Sequence, residues 1–403
     1  MTSAMSSVYT LAHLSDPHLG PLPQPRIREL ASKRVIGFVN WQRNRVKLHL
    51  DEPLARLMED LLSSAPDHIA VTGDLVNLAL KAELPPAREW LAALGNHDDV
   101  SVIPGNHDAY VPGALKRAWK AWADYMTDDD RPLSAAGERF PYLRRRGPIG
   151  IVGTSSAVAT GPFMATGSFG ATQAQLLLDS LTKLGHEGAF RVVLIHHPPI
   201  RNATPWHKRL VGGSRFRAAI REAGAELVLH GHTHKRSINW IGDVPVIGVP
   251  AASNAAHRHG SAFNLFRISG EPGRWDCEMI ERGLTNPTEP VYEIDRRYLY
   301  RNGPGRARRR RYHPSRPRGQ DPMTYAPLPP SALRVMDAAK AAGLTIDVRE
   351  MPASTRTAEE AAAACETGVG QIVKSLVFRG KNSGSPYLLL VSGSNRVDEK
   401  AGG

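Results

Sequence analysis

The stretch Val100-Ser101-Val102-Ile103-Pro104-Gly105-Asn106-His107-Asp108 decides the fold. Val100 to Ile103 reads as a short buried strand, and Pro104-Gly105 ends it. Asn, His and Asp follow at once, so three chemically active side chains sit on the loop leaving the strand. The same four letters occur earlier as Gly95-Asn96-His97-Asp98. That copy follows a helical stretch, Ala87 to Leu94, so Asn106 and His107 are the expected functional pair.

Four more motifs stand where an apolar run ends: Asp16-Pro17-His18, Gly73-Asp74, His196-His197-Pro198-Pro199 and Gly231-His232-Thr233-His234. Between them, strands and helices alternate from Val8 to about Glu281. Leu54, Leu57, Met58, Leu61 and Leu62 make one apolar helical face, with Pro53 in its first turn. His68 to Val71, Ile149 to Val152, Arg191 to Ile195 and Glu226 to Leu229 read as strands, and Ala171 to Leu184 and Ser214 to Ala223 as helices. Val244 to Val249, Phe263 to Ile268 and Trp275 to Ile280 are late strands without helices between them. The expectation is an α/β architecture of sheets covered by helices.

In open α/β sheets, loops at the carboxyl ends of strands share one crevice. Two Asp, one Asn and four His could converge there, with His107 beside them. Neutral imidazole and carboxylate suit borderline divalent metals such as Zn, Mn and Fe. Neither Cys277 nor Cys365 lies near these motifs, which argues against a structural zinc site. Seven ligands exceed one tetrahedral centre but fit two ions if a carboxylate bridges them. Two ions ~3.5–4 Å apart clamp both oxygens of an in-line displacement at phosphorus.

The order D-x-H, G-D, G-N-H-D, H, G-H-x-H resembles the calcineurin-like metallophosphoesterase superfamily over residues 8–285. The resemblance implies a four-layer α/β/β/α sandwich and hydrolysis of a phosphoester by a metal-bridging hydroxide. It implies that Asp16, His18 and His234 bind one divalent ion, that Asp74 bridges, and that Asn106, His196 and His232 bind the second. His107 would meet the substrate phosphate and the leaving oxygen, oriented by Asp108. Of the adjacent pair, His196 rather than His197 matches the family ligand. His13 is either a partner behind the ligands or a packed strand residue, and His230 reads as packing. His257 and His259 read as surface residues of a late loop.

Gly73-Asp74-Leu75-Val76-Asn77 lacks the arginine that protein phosphatases of this superfamily carry after G-D. This form and His196-His197-Pro198-Pro199 look like the bacterial branch that includes cyclic-nucleotide and glycerophosphodiester hydrolases. A phosphodiesterase acting on a small phosphoester is therefore expected, with a nucleotide as one candidate. Between Gly20 and Leu50 an insertion holds Arg26, Arg28, Lys33, Arg34, Arg43, Arg45 and Lys47, with Phe38 and Trp41. It reads equally as a basic lid or as a solvated helical face. No G-x-x-x-x-G-K-[ST], G-x-G-x-x-G or G-x-S-x-G occurs.

The chain has 403 residues, 41% hydrophobic and 22% charged, an ordinary globular balance. No apolar run is long enough to span a bilayer, and no basic region followed by an apolar stretch opens the chain. With two cysteines no disulfide framework is expected, and a reducing, cytoplasmic compartment is. Net charge is +12, and it falls to +4 without 301–318, which holds eight arginines and no acid. The stretch 286–330 reads as a linker, either solvated or tethering an acidic partner such as tRNA.

Past the linker, Ser354-Thr355-Arg356-Thr357-Ala358-Glu359-Glu360-Ala361, Val369 to Phe378 and Val391 to Asp398 resemble the first half of a YbaK/ProX-type aminoacyl-tRNA deacylase. The expected third region, 331–403, is thus a partial, truncated α+β domain. It has helices at Leu333 to Ala342 and Ala358 to Ala364, and strands at Leu344 to Val348, Ser375 to Phe378 and Tyr387 to Val391. Lys374 occupies the position of that family's functional lysine, and editing of acylated tRNA is the alternative activity.

Overall fold

The computed structural model describes residues 8–30, 32–43, 51–131, 140–254, 260–301, 357–364, 369–379, 386–392 and 394–395. The chain forms two compact units, Met1–Arg311 and Tyr312–Gly403. In the first unit the strands are β1 (Tyr9–Leu14), β2 (His68–Val71), β3 (Val100–Val102), β4 (Tyr142–Arg146), β5 (Ile149–Gly153), β6 (Gly167–Ser168), β7 (Phe190–Leu194), β8 (Leu210–Val211), β9 (Leu227–His230), β10 (Ser237–Ile241), β11 (Val244–Gly248), β12 (Ser261–Glu271), β13 (Arg274–Leu284) and β14 (Tyr292–Tyr300). Its helices are α1 (Ile27–Leu30), α2 (Arg34–Arg43), α3 (Asp51–Ser63), α4 (Leu84–Leu94), α5 (Ala114–Ala121), α6 (Ala171–His186) and α7 (Gly213–Ala223).

One sheet runs β14-β13-β12-β1-β2-β3 and the other β10-β11-β9-β7-β5-β4. In each, the strands that feed the motifs are parallel: β1, β2 and β3 in the first, β7 and β9 in the second. The period-2 alternation sorts the second sheet's side chains between two cores. Ile149, Ile151, Val192, Leu194, Leu227 and Leu229 cluster with residues of the first sheet, whereas Val152, Val193, Ile195 and Val228 cluster with Leu177, Leu181, Phe216 and Ile220 of α6 and α7. Leu54, Leu57 and Leu61 of α3 and Leu84, Leu91 and Leu94 of α4 join the first sheet's core. The result is the four-layer α/β/β/α sandwich expected from the motif order.

One feature departs from the sequence reading. The stretch 286–330 was expected to be linker throughout, yet β14 pairs antiparallel with β13 and extends the first sheet. Its charge suits an edge strand: Arg296 pairs with Glu293 at 2.7 Å and with Glu278 of β13 at 3.2 Å. The earlier Gly95-Asn96-His97-Asp98, set aside in the sequence, follows α4. Its His97 side chain is exposed, but its backbone carbonyl accepts Arg144 Nη2 at 2.7 Å. Arg144 is fully buried and also donates to Val100 O at 2.7 Å and to Thr127 O at 3.2 Å. The early copy is a structural corner.

In the second unit, α8 (Ala358–Ala364) precedes a hairpin of β15 (Val373–Arg379) and β16 (Pro386–Ser392). Thr357 Oγ1 accepts Glu360 N–H at 3.1 Å, and Thr357 N–H donates to Glu360 Oε2 at 3.4 Å, a capping box that starts α8. Lys374 Nζ donates to Asn395 O at 2.6 Å. The helix expected at Leu333 to Ala342, the strand at Leu344 to Val348, His257, His259 and the arginines from Arg306 to Arg318 lie outside the described residues. Among the described residues no helix is long and apolar enough to cross a membrane.

Candidate metal centre

Five strand ends meet at one place, and the backbone there is unusual. Asp16 (φ 53), His18 (φ 43), Asp74 (φ 55), His232 (φ 68) and His234 (φ 54) all adopt the left-handed region. Non-glycine residues seldom do so, and such strain collects at functional sites. The loops also touch closely. A side chain on Gly105 would bring its Cβ to 2.2 Å from Asp74 Oδ1 and 2.5 Å from Asp74 N, so only glycine fits.

Each carboxylate spends one oxygen on a neighbouring loop and turns the other toward imidazole nitrogens. Asp16 Oδ2 accepts His232 N–H at 2.9 Å, and Oδ1 lies 3.2 Å from His234 Nε2 and 3.9 Å from His18 Nε2. Asp74 Oδ1 accepts His107 N–H at 2.6 Å, and Oδ2 lies 3.4 Å from His196 Nε2 and 3.9 Å from His18 Nε2. Both acids are completely or almost completely buried. Burial works against their ionisation, but surrounding histidines hold both pKa values below the usual carboxylate range.

The histidines are oriented from behind. His196 directs Nδ1 to Thr72 O at 2.7 Å, which leaves Nε2 facing Asp74 and, at 3.2 Å, Asn106 Oδ1. His232 is turned the other way: Nε2 meets Lys208 O at 3.1 Å, and Nδ1 faces Asn106 Oδ1 at 2.8 Å. Carbonyl partners of this kind fix the tautomer of a ligating imidazole. Burial pushes His232 well below its ordinary pKa. At His196 burial acts in the same direction, but the Asp74 carboxylate outweighs it and raises the pKa to about 9. Buried anions that draw an imidazole toward its cationic form mark a site that calls for positive charge.

Three triads bring ligand-type atoms within 4.8 Å of one another: Asp16-His18-His234, His18-Asp74-His107 and Asp74-His196-His232. Asp74 belongs to two of them. Oxygen and imidazole donors, no thiolate, and two adjoining clusters sharing a carboxylate fit a pair of divalent ions.

The remaining expected residues sort as follows. His107 sits edge-on to His18, with ring centroids 4.8 Å apart, and stacks on Tyr110 at 5.5 Å. Its Nδ1 contacts Asn77 O at 2.5 Å. Asp108 was expected to orient this ring, but it clamps two loops instead. Its carboxylate accepts the N–H groups of Asp74 (2.9 Å), Leu75 (3.0 Å), Val76 (3.2 Å) and Gly105 (2.7 Å). Burial and the Asp74 charge push its pKa up to about 8, against the pull of those donors. His197 stands next to the ligand set but engages Ser156 Oγ at 2.8 Å and Ala165 O at 3.2 Å. His13 lies behind, meeting Thr72 Oγ1 at 3.0 Å, and His230 meets Gly231 O at 3.0 Å.

Two positioning residues were given no role of their own by the sequence. Asn77 supplies the carbonyl for His107 and donates Nδ2 to Leu19 O at 2.9 Å. Glu83, in an ordinary-looking Lys-Ala-Glu, is buried and accepts Asn77 N–H at 2.6 Å and Leu80 N–H at 2.7 Å. The insertion after Gly20 is neither simply a lid nor a solvated face. Arg34 turns inward, donating Nε to Leu78 O at 2.9 Å and Nη2 to Ala79 O, while Phe38 and Trp41 pack on Leu22, Leu78 and Leu80. Arg26 and Arg28 of the same insertion are exposed.

Residues 9–236 match the model of the calcineurin-like phosphoesterase family, and the chain belongs to that family. Residues 352–401 match the aminoacyl-tRNA editing domain. Among solved structures, the chain is similar to a dimetal phosphatase from Danio rerio (14% identity, TM-score 0.47, 71% of this chain and 98% of that one). It is also similar to a putative 5′-nucleotidase from Staphylococcus aureus (14%, 0.38, 73% and 54%) and to a purple acid phosphatase from yellow lupin, Lupinus luteus (11%, 0.45, 73% and 54%). No curated protein matches the chain.

Proposed function

We infer that the first unit is a two-metal phosphohydrolase acting on phosphodiesters. The observation that carries this reading is the sharing of Asp74 between the two clusters that hold His18 and His196. In it, Asp16, His18 and His234 would hold one ion and Asn106, His196 and His232 the other, with the Asp74 carboxylate serving both. When bound, divalent ions at such a site supply Lewis acidity and a nucleophile from water near neutral pH. The chain's own residues do the rest. Asp16 and Asp74 keep their ligand oxygens aimed by anchoring the opposite oxygens to backbone N–H groups. The Thr72 and Lys208 carbonyls hold the His196 and His232 tautomers. His107 lines the cavity beside Asn106, where Nε2 of its imidazolium form, with Nδ1–H directed to Asn77 O, can give a proton to the departing alkoxide. As phosphorus gains the oxygen from water, the ester oxygen leaves with that proton.

The test is hydrolysis of bis-p-nitrophenyl phosphate with metal analysis of the same samples. Asp74→Ala should lose both bound metal and turnover. His107→Gln should keep the metal and lose about 10²–10⁴-fold in rate. Turnover that survives chelation or Asp74→Ala would overturn the reading. A second reading rests on the editing-domain match at 352–401, with Lys374 as its candidate contact for acylated tRNA. Deacylation that depends on Lys374 and ignores chelators would favour it.

A further inference from the structure

Beside His107 and Asn106 a cavity of about 600 Å³ opens between α2 and the loop 160–165. A phosphodiester at His107 has this cavity open to one of its two substituents. Its lining includes Ile36 and Val39 from α2, and Pro162, Phe163, Met164 and Ala165 from the loop, beside the polar Asn40 and Thr160. Among the described residues no carboxylate lines it. Cations stand at its edges, Lys33 and Lys208, as a phosphate would require.

Two observations make these walls a built surface. Ile36 and Val39 are 39% and 40% exposed although the same helix packs the half-buried Phe38 and Trp41 against Leu22, Leu78 and Leu80. Phe163 is 81% exposed and held at φ +61, a conformation costly for a bulky residue. Large apolar groups thus stay in water at the mouth of a catalytic cleft, on a frame that fixes them. Gly37 lets α2 sit down on Tyr110, since a Cβ there would come within 2.2 Å of Tyr110 Oη. Lys33 Nζ bonds Thr160 Oγ1 at 3.1 Å and lies over the Tyr110 ring, tying α2 to the opposite loop.

We propose that this cavity binds an alkyl or acyl chain, so that the substrate is a phosphodiester with one long apolar substituent. The proposal rests on the phosphodiesterase reading and names its substrate class. Polar groups suited to a purine or pyrimidine, Asn40 and His207, also line the cavity, but the large side chains left in water at its mouth, Ile36, Val39 and Phe163, are aliphatic and phenyl. Burying a methylene stabilises a complex about three- to fourfold in its binding constant.

The test uses the full chain supplied with manganese. One arm measures kcat/KM for p-nitrophenyl alkyl phosphates from methyl to decyl. The other measures Kd for alkylphosphonates of the same lengths by calorimetry. Both should improve about threefold per methylene until the cavity is filled. Ile36→Glu, Val39→Glu and Phe163→Glu, all at exposed positions, should flatten both slopes. A flat dependence in the wild type, or equal slopes in wild type and variants, overturns the proposal. If no diester is hydrolysed the phosphodiesterase reading fails, while the phosphonate slope still decides what the cavity holds. Tighter binding of nucleoside monophosphates than of decylphosphonate would assign it to a base instead.

Discussion

Replacing Asp108 by Asn tests whether this residue clamps the loops or orients His107. Oδ1 accepts the N–H groups of Leu75 and Val76, and Oδ2 those of Asp74 and Gly105. An amide has only one acceptor oxygen. Whichever way it flips, its NH₂ faces two buried backbone donors that nothing else satisfies. Leaving a buried donor unsatisfied costs about 1–3 kcal/mol, so leaving two destabilises the fold by about 2–6 kcal/mol. That is a large part of the about 5–15 kcal/mol by which a typical domain is stable. Urea unfolding of chelated wild type and Asp108→Asn, followed by tryptophan fluorescence, measures the difference without any metal contribution. Hydrogen exchange should localise the loss to the amides of 74–76 and 105. If Asp108→Asn unfolds within about 1 kcal/mol of wild type while its turnover drops as far as that of His107→Gln, the clamp argument is wrong. The carboxylate would then act on the imidazole, as the motif alone suggested.

Three further outcomes are expected. His196→Ala should lower bound metal, whereas His197→Ala, whose ring nitrogens face Ser156 and Ala165, should retain it; equal metal loss in both would refute the assignment of these neighbours. Arg144→Met should cost at least about 3 kcal/mol of stability in urea, since the carbonyls of His97, Val100 and Thr127 each lose a charged donor that contributes about 1.5–3 kcal/mol; a change under about 1 kcal/mol would show that these carbonyls find other donors. His68 is buried against Ser101 with a pKa lowered to about 3, by burial first and by Arg144 and Arg146 next. The unfolded chain protonates this group near 6.5, so stability is intact above that pH and declines as pH falls from about 6.5 toward 3, by up to about 1.4 kcal/mol per pH unit. Metal-free His68→Gln should show a shallower decline over that window, and slopes identical to wild type would refute it.

The strand-to-loop motifs were legible because their requirements are local. A parallel strand buried on both faces reads as an apolar run, and the residues just after it must bend sharply to reach the cleft. Val100 to Ile103 before Gly105-Asn106 shows both, and the alternation of Ile149, Ile151 and Val152 between two cores shows why the layers stack as they do. Gly95-Asn96-His97-Asp98 could be set aside for the same reason: it leaves a helix, and a helix end does not deliver side chains to that crevice. β14 escaped notice because the charged run Asp295-Arg296-Arg297 interrupts its apolar alternation. An edge strand needs apolar residues only where it meets the core, and here these are Leu299 and Tyr300.

What stayed hidden is the layer of backbone acceptors and donors behind the ligands. An imidazole serves such a site in only one tautomer, and the groups that choose it are carbonyls, which every residue possesses: Thr72 for His196, Lys208 for His232 and Asn77 for His107. Composition and spacing carry no trace of which carbonyl is nearby. Glu83 and Arg144 illustrate the same limit with charged side chains. Each looks like ordinary surface charge in sequence, and each is buried because a turn of exposed backbone groups needs a single partner with several donors or acceptors. The left-handed residues Asp16, His18, Asp74, His232 and His234 follow from this as well. Holding five such conformations at once requires loops that hydrogen-bond one another, as Asp16 N–H does to Gly73 O and His18 N–H does to Asp74 O. The catalytic letters can therefore be read singly, but the strain that aims them is a property of the loops together. A variant that cuts one cross-loop bond, Asp108→Asn above all, should disturb several ligands at once.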